Sequence, residues 1–283
     1  MIRIGPAGWA YKDWNGIVYP PKKPKGFDPV AYLARYFDTI EVNTTFYGSP
    51  RPESAKHWAE SVTSNKNFRL TAKLLKTFTH DRKATAKDER EFKDGIAPLV
   101  EAGRFGALLL QFPWSFRYEP ENKAYLLGLQ SRFRAYPLVL EVRHSSWAQP
   151  EVLDLLGELG VGLCNIDQPL FHRSIKPGAE VTSDVGYVRL HGRNYQKWFS
   201  KTALSHERYD YLYTVAELEP WVDRIRTVAR KTKNMYAVAN NHHVGKAIHA
   251  GLEIAALIKG TRVDVPPPML AQYPELQEIA RLD

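Results

Sequence analysis

Eight short apolar segments, most of them followed by a helical pattern, constrain the fold of this chain more than any other feature of its sequence. Most of these segments end in polar or charged residues. The segments cover residues 2–5, 39–43, 68–73, 107–112, 138–143, 161–167, 187–191 and 236–241. A strand followed by a helix, repeated about eight times, is the order that closes an α/β fold, the (β/α)8 TIM barrel.

The 283 residues fit one barrel domain with short extensions. We therefore predict a single TIM-barrel domain over residues 1–283, in which 261–283 form a C-terminal strap. Helix starts support this register, since Asp28 before Pro29 predicts a capped helix. Thr214 with Glu217 predicts a capping box. Residues 168–184 lack a helical pattern, which predicts an irregular connection after the sixth strand.

Polar residues near the ends of five strands share one alternation phase. In a strand, every second side chain points to the same face. The residues in this phase are Glu41, Asn43, Arg69, Thr71, Lys73, Glu141, Arg143, Asn165, Asp167, Arg189 and His191. Barrel enzymes carry their chemistry at the C-terminal ends of the strands. We therefore expect one cavity there to gather Glu41, Lys73, Glu141, Arg143, Asp167, Arg189 and His191.

Two interpretations of these charges remain open. Two carboxylates in unlike surroundings can divide acid and base work, which makes Glu41 and Glu141 catalytic candidates, with His191 as their partner. Alternatively, the inward charges form a structural network that holds the barrel interior. Its three acids, Glu41, Glu141 and Asp167, would then balance its three bases, Lys73, Arg143 and Arg189.

Substrate-binding candidates surround these groups. In the catalytic interpretation, Lys73, Arg143 and Arg189 clamp an anion, because guanidinium and ammonium groups bind phosphates and carboxylates. The other candidates offer hydrogen bonds or aromatic walls. They are Trp9, Tyr11, Asn43, Tyr47, Gln111, Trp147, Asp167, Asn240 and Asn241.

The chain is basic, with 39 Lys and Arg against 31 Asp and Glu and a net charge of +8. This charge favours anionic partners such as nucleic acid, a phosphorylated small molecule or a carboxylate. Basic and aromatic residues also alternate in the loops after the first, third and seventh strands. Such loops follow a phosphate backbone, stack on sugars or pack on a barrel rim, and composition does not choose between these roles. A nucleic-acid interface would use Lys76, Arg82, Arg193 and Lys197.

Six motifs give the chain a family resemblance. They are Gly8-Trp9-x-Tyr11-x-x-Trp14, the run from Phe37 to Tyr47, Gln111-Phe112-Pro113, Glu141-x-Arg143-His144-x-Ser146-Trp147, Tyr187-x-Arg189-Leu190-His191-Gly192 and Asn240-Asn241. In this order they resemble the YecE-like family, also called domain of unknown function 72, from about residue 2 to residue 258. The resemblance implies a TIM barrel distantly similar to xylose isomerases and apurinic endonucleases, and it implies no established activity.

Two positions depart from the family pattern near the eighth strand. Ala239 stands where the family usually has an aromatic residue, and His242 and His243 follow the paired asparagines in place of acidic or small residues. We interpret both histidines as surface residues.

We expect no cofactor and no membrane partner. Nothing in the sequence resembles a phosphate-cradling glycine loop, a nucleotide fingerprint or a nucleophile elbow. The cations among the inward residues would repel a metal ion, so no metal site is predicted. No stretch of about 18 apolar residues occurs, which predicts a cytoplasmic protein.

The leading hypothesis is a metal-independent enzyme that uses acid/base chemistry on a small anionic or sugar-like ligand. Whether it is a hydrolase, a lyase or an isomerase stays open. A nucleic-acid-binding or lesion-processing barrel is the first alternative. A ligand-binding barrel without turnover is the second.

Overall fold

A computed structural model describes residues 1–198 and 205–281, and in that part of the chain eight parallel strands form a barrel. The strands are β1 Ile2–Pro6, β2 Thr39–Val42, β3 Arg69–Lys73, β4 Phe105–Gln111, β5 Leu138–Glu141, β6 Gly162–Asp167, β7 Val185–Leu190 and β8 Asn234–Ala239. Their order around the sheet is β1-β8-β7-β6-β5-β4-β3-β2. A bridge between Ala7 and Glu41 joins its two ends, where Gly8 N donates to Glu41 O at 2.8 Å. The predicted TIM barrel is confirmed.

Helices surround this barrel. They are α1 Pro29–Leu33, α2 Pro52–Ser61, α3 Lys76–Thr79, α4 Ala86–Glu101, α5 Pro120–Phe133, α6 Pro150–Glu158, α7 Tyr195–Trp198, α8 Ser205–Arg208, α9 Val215–Arg230, α10 Lys246–Lys259 and α11 Pro267–Gln272. Both predicted caps are present, because Asp28 accepts the Val30 N–H at 2.8 Å and Thr214 forms a capping box with Glu217. Helix α5 was not predicted from the sequence. Its buried face begins with Asn122, which hides the apolar periodicity.

Residues 168–184, all of which the structure describes, contain no helix, as the sequence predicted. The outer face of β6 is therefore covered by irregular chain. The Asn165 side chain forms two hydrogen bonds with the backbone of this connection. Its Nδ2 donates to Glu180 O at 3.0 Å, and Glu180 N donates to its Oδ1 at 2.9 Å.

The predicted phase of β6 is wrong. In register, Ile166 lies beside Arg189 and Cys164 lies beside Tyr187, so these β6 residues face the barrel interior. Asn165 and Asp167 face outward instead. An outward polar side chain is normally costly under a helix, but here it meets peptide groups that need partners.

The floor of the barrel interior holds two tyrosines. Tyr187 and Tyr236 lie with ring centroids 5.8 Å apart, and both are buried. Gly106 leaves room for them, because a Cβ there would lie 2.6 Å from the Tyr236 hydroxyl. These side chains thus fill the lower part of the barrel.

The chain end runs back over the outside of the barrel. Val263 pairs with Ala280, and the Tyr273 hydroxyl donates to Val244 O at 2.7 Å. Met269 and Leu276 are buried in the apolar cluster that also contains residues of α10. We propose from these contacts that the strap belongs to the same domain. Residues 282–283 of the predicted strap lie outside the described part.

None of the helices in the described part is long and apolar enough to cross a membrane.

Candidate functional site

A buried network of charged side chains lies at the C-terminal ends of β2, β5 and β7. Arg189 is its centre, and its guanidinium bridges two carboxylates. Its Nη2 donates to Glu41 Oε1 at 2.8 Å, and its Nη1 donates to Glu141 Oε2. All three side chains are fully buried. Three residues from distant parts of the sequence therefore meet as the shared alternation phase predicts.

Glu141 holds further partners on its second oxygen. Glu141 Oε1 accepts from Arg143 Nη2 at 3.0 Å and from His191 Nε2 at 3.1 Å. Burial alone would raise the pKa of Glu141, but Arg189, His191 and Arg143 outweigh it and hold that pKa well below its usual value. Glu141 is therefore an ionised, fully bonded carboxylate.

His191 is neutral in this network. Burial lowers its pKa to about 3, and the nearby arginines add to that effect. Asn240 Nδ2 donates to His191 Nδ1 at 3.0 Å, which leaves the ring proton on Nε2, where it bonds Glu141. Both ring nitrogens are thus occupied.

Outer partners complete the network. The Tyr187 hydroxyl donates to Glu41 Oε2 at 2.9 Å and lies 2.7 Å from Thr71 Oγ1. Arg143 Nη1 donates to Gln168 Oε1 at 2.7 Å. The charges of the two glutamates cancel those of the two arginines. Buried ions are tolerated when they are paired and bonded in this way.

Asp167 lies outside this network, because β6 turns it to the outer face of the barrel. Its carboxylate accepts from Arg193 Nε at 2.9 Å and from the Tyr213 hydroxyl. The expectation that Asp167 joins the inward charges is wrong. Two inward acids therefore face three inward bases, and one cation has no counter-ion.

That cation is Lys73, at the end of β3. Its ammonium lies 4.4 Å from the centroid of the Phe46 ring, and in the described part of the chain no carboxylate forms an ion pair with it. Burial lowers the pKa of Lys73 to about 8, and Arg189 lowers it further against the opposing pull of Glu41 and Glu141. Lys73 is therefore a half-buried amine that carries an unbalanced charge.

Lys73 opens into a cavity of about 420 Å³ at the mouth of the barrel, which we call the mouth cavity. The loops after β1, β2, β7 and β8 build its walls. Its lining residues are Gly8, Trp9, Ala10, Tyr11, Asn43, Thr44, Tyr47, Lys73, Tyr209, Asn240 and His242. Six of these were predicted as site residues, namely Trp9, Tyr11, Asn43, Tyr47, Lys73 and Asn240.

Asn43 and Asn240 form one wall of the mouth cavity, which we call the amide wall, and hydrogen bonds hold Asn43 in place. Asn43 Nδ2 donates to the Tyr11 hydroxyl at 3.2 Å, and that hydroxyl donates to Ala7 O at 2.8 Å. Asn43 Oδ1 is buried without a hydrogen-bond partner in the described part of the chain. An unpaired buried acceptor favours a ligand that brings a donor such as a hydroxyl.

Besides Arg143, Asp167 and Arg189, whose places are given above, three further predicted binding residues do not line the mouth cavity. Trp147 is fully buried, its Nε1 donates to Phe116 O at 2.7 Å, and its ring stacks on Phe116, so its expected place in the wall is wrong. Gln111 pairs in register with Glu141 on the inward face. Asn241 Nδ2 donates to Tyr211 O at 2.8 Å.

Two ring side chains of the mouth cavity, Tyr209 and His242, were not predicted from the sequence. The His242 ring lies 4.3 Å from the Tyr11 ring and 5.5 Å from the Tyr209 ring, measured between centroids. His242 is half-buried, so its interpretation as a surface residue is wrong. Its place directly after the paired asparagines that follow β8 was the available signal.

The four residues proposed for nucleic acid are engaged within the chain. Lys76 pairs with Asp81 at 3.9 Å, and Lys197 pairs with Glu207 at 3.2 Å. Arg82 lies over the rings of Phe116 and Tyr125, and Arg193 binds Asp167 and Glu217. None of the four lines the mouth cavity.

A second cavity of about 490 Å³ lies on the outer face of β6, under the irregular connection. It is slightly larger, but neither Lys73 nor a residue of the buried charge network lines it, and apolar residues such as Leu163 alternate there with polar ones such as Lys176. Among the described residues, no group of three or more His, Cys, Asp or Glu side chains is arranged to hold a metal ion. The mouth cavity is therefore the stronger candidate for chemistry.

Comparison with known proteins places this geometry in a family. The family described as "Protein of unknown function DUF72" matches residues 3–274. The chain is similar to "UPF0759 protein YecE" of Escherichia coli, with 32% identity over 148 residues, which are 51% of this chain and 49% of that protein. The match spans about half the length of this curated relative.

Two solved structures extend the likeness over nearly the whole chain. A DUF72 family protein of Enterococcus faecalis is 25% identical with a TM-score of 0.81, covering 94% of this chain and 98% of the other. A DUF72 family protein of Thermotoga maritima is 30% identical with a TM-score of 0.78, covering 92% and 99%. The chain, with its barrel and the motifs that end its strands, belongs to the DUF72 family.

Proposed function

We propose that this chain is an enzyme that acts by acid/base chemistry on a small anionic or sugar-like molecule in the mouth cavity, without a metal ion. The single observation that carries the proposal is Lys73, an amine of lowered pKa that faces the cavity without a counter-ion. Groups with perturbed pKa values in a cleft are typical of catalytic sites.

The size and lining of the mouth cavity support a small ligand. Its volume of about 420 Å³ falls in the range of small-molecule sites. Trp9, Tyr11 and Tyr47 offer flat apolar faces, and Asn43 and Asn240 offer amide groups. Aromatic faces with nearby amides suit a sugar ring and its hydroxyls.

The network below the cavity positions the site and leaves proton transfer to Lys73. Glu141 and His191 have their polar atoms bonded, and their pKa values are held far from neutrality. A proton-transfer group works best when its pKa lies near the working pH. Lys73, with a pKa of about 8, meets that condition.

Lys73 in its protonated form would also attract an anionic substrate. The positive charges of Arg143 and Arg189 are cancelled within the network, so Lys73 supplies the attraction for a phosphate or carboxylate. The anion clamp that the sequence predicted from Lys73, Arg143 and Arg189 is therefore proposed to consist of Lys73 alone.

The nucleic-acid alternative has less support, because its four basic side chains already have partners. A barrel that binds a ligand without turnover remains distinct from an enzyme only by experiment. One experiment distinguishes the nucleic-acid alternative and the ligand-binding barrel from the proposed enzyme.

That test measures thermal unfolding of the full chain with neutral sugars, sugar phosphates and sugar acids. A ligand at 100 times its Kd stabilises the folded state by about 2.7 kcal/mol. Asn43→Ala should abolish the stabilisation. Lys176→Gln, an exposed change beside the second cavity, should preserve it.

Turnover of any stabilising compound is then followed by NMR. Binding without conversion would identify a ligand-binding barrel. If no compound stabilises the chain and DNA binds with a steep salt dependence, the nucleic-acid alternative replaces the proposal.

A further inference from the structure

We propose that the Lys73 amine forms an imine with the carbonyl carbon of an open-chain sugar or a similar small carbonyl compound in the mouth cavity. This inference rests on the proposed function and names the chemical class of its substrate. It assigns Lys73 a covalent role that acid/base chemistry alone does not require.

The position of Lys73 meets the geometric needs of such a nucleophile. It ends a barrel strand, and its backbone N–H donates to Thr45 Oγ1 at 3.1 Å, which holds the strand end in place. Its ammonium lies against the Phe46 ring at 4.4 Å and borders a cavity large enough for a small sugar. An amine on a rigid strand, against an aromatic face and open to a cavity, can reach a bound carbonyl.

The surrounding charges favour the neutral amine. Glu41 and Glu141 would attract a proton to Lys73, but Arg189 and Arg143 already neutralise them. His80 edges the same Phe46 ring at 4.9 Å between centroids, and burial lowers its pKa to about 4, so its ring carries no charge beside Lys73 near neutral pH. With a pKa of about 8, roughly a quarter of the Lys73 amines are neutral at pH 7.5, against about a thousandth for an ordinary lysine.

The step balances without an oxidant or a reductant. The Nζ lone pair attacks the carbonyl carbon, a C–N bond forms, and the carbonyl oxygen takes a proton. The resulting carbinolamine loses its hydroxyl as water when the imine forms. Protons exchange with solvent at the open mouth, and the net change is release of one water molecule.

The amide wall gives the carbonyl compound its orientation. Asn43 Oδ1 is a buried acceptor without a partner in the described part of the chain, close to the Tyr11 hydroxyl that Asn43 holds. A hydroxyl next to the carbonyl of an open-chain sugar supplies the missing donor. A simple aldehyde without that hydroxyl should therefore react less well.

The experiment incubates the full chain with D-glyceraldehyde and sodium cyanoborohydride, which reduces imines to stable amines, and locates the adduct by peptide mass spectrometry. We expect Lys73 to be labelled at least about tenfold faster than exposed Lys76 at pH 7.5, because about a quarter of the Lys73 amines are neutral there. Labelling of Lys73 should rise with a midpoint near pH 8. Propionaldehyde, which lacks the adjacent hydroxyl, should label Lys73 more slowly.

Equal labelling of Lys73 and Lys76, or a Lys73 profile that rises only near pH 10, would overturn the imine. Lys73→Arg checks the assignment, because it keeps the charge and should remove the fast adduct. The thermal measurements separate the two proposals. Sugars that stabilise the chain without an adduct at Lys73 leave the proposed function standing and remove the imine, whereas absence of both removes both.

Discussion

The buried network and Lys73 occupy the same inward face of the barrel, yet their surroundings differ. Every charge of the network has a bonded partner of opposite sign, since Arg189 lies between two glutamates and Arg143 binds Glu141. Lys73 has an aromatic ring on one side and open space on the other. The comparison teaches that paired inward charges build the barrel interior, and the unpaired one is the group available to a ligand.

Breaking the network should give the largest effect. Glu141→Gln leaves Arg189 and Arg143 short of a counter-ion, and we expect a loss of about 3–5 kcal/mol in the free energy of unfolding, measured by urea denaturation. Glu41→Gln should also destabilise the fold, because both oxygens of Glu41 are bonded. A nearly neutral Glu141→Gln would show that Glu141 is held for proton transfer instead.

Acid should weaken the network at pH values at which Lys73 is already protonated. The pKa of His191 is lowered to about 3 in the folded state from 6.5, so its contribution is fully present above pH 6.5 and is lost as the pH falls toward 3. The unfolding free energy should fall by up to about 1.4 kcal/mol per pH unit for this proton. His191→Gln should make the fall shallower, although His80 contributes with the same sign. An unchanged slope in denaturation experiments at pH 4.5–6.5 would contradict a neutral His191.

Replacing Lys73 should have the smallest effect on stability, and with the opposite sign. Lys73→Met keeps a side chain on Phe46 and removes the unbalanced charge, so we expect a gain of about 1 kcal/mol below pH 8. The wild-type chain loses its penalty as the pH rises from about 8 to 10.5, because the folded state releases the Lys73 proton first. The gap should therefore close over that range. A destabilised Lys73→Met would mean that Lys73 has a structural partner.

Much of the fold and part of the site follow from the sequence, because both depend on local periodicity. Alternation correctly brought Glu41, Glu141 and Arg189 together, although they are far apart along the chain. It failed at Asp167 and Asn165, because alternation gives two faces and does not say which one is inside. The prediction for Trp147 was wrong for a related reason, since an aromatic residue after a strand can turn into the core as readily as toward a ligand.

The pairing of charges could not be read from the sequence at all. Three inward acids against three inward bases suggested a balanced interior with no surplus cation. Strand β6 turns the opposite set of side chains inward, so Asp167 lies outside the interior and Lys73 has no carboxylate to balance it in the described part of the chain. His242 was missed because its role depends on the Tyr11 and Tyr209 rings, which come from two other loops.

The missing helix after β6 also has a consequence for engineering. A designer who replaced the irregular connection with a standard barrel helix would bury Asn165 and Asp167 against apolar side chains. Asn165 would lose both hydrogen bonds to residue 180, and Asp167 would lose room for Arg193. The graft would therefore need apolar replacements at both strand positions. In this barrel, polar outward residues on β6 therefore go with a cover of irregular backbone, whereas a helical cover would need apolar ones.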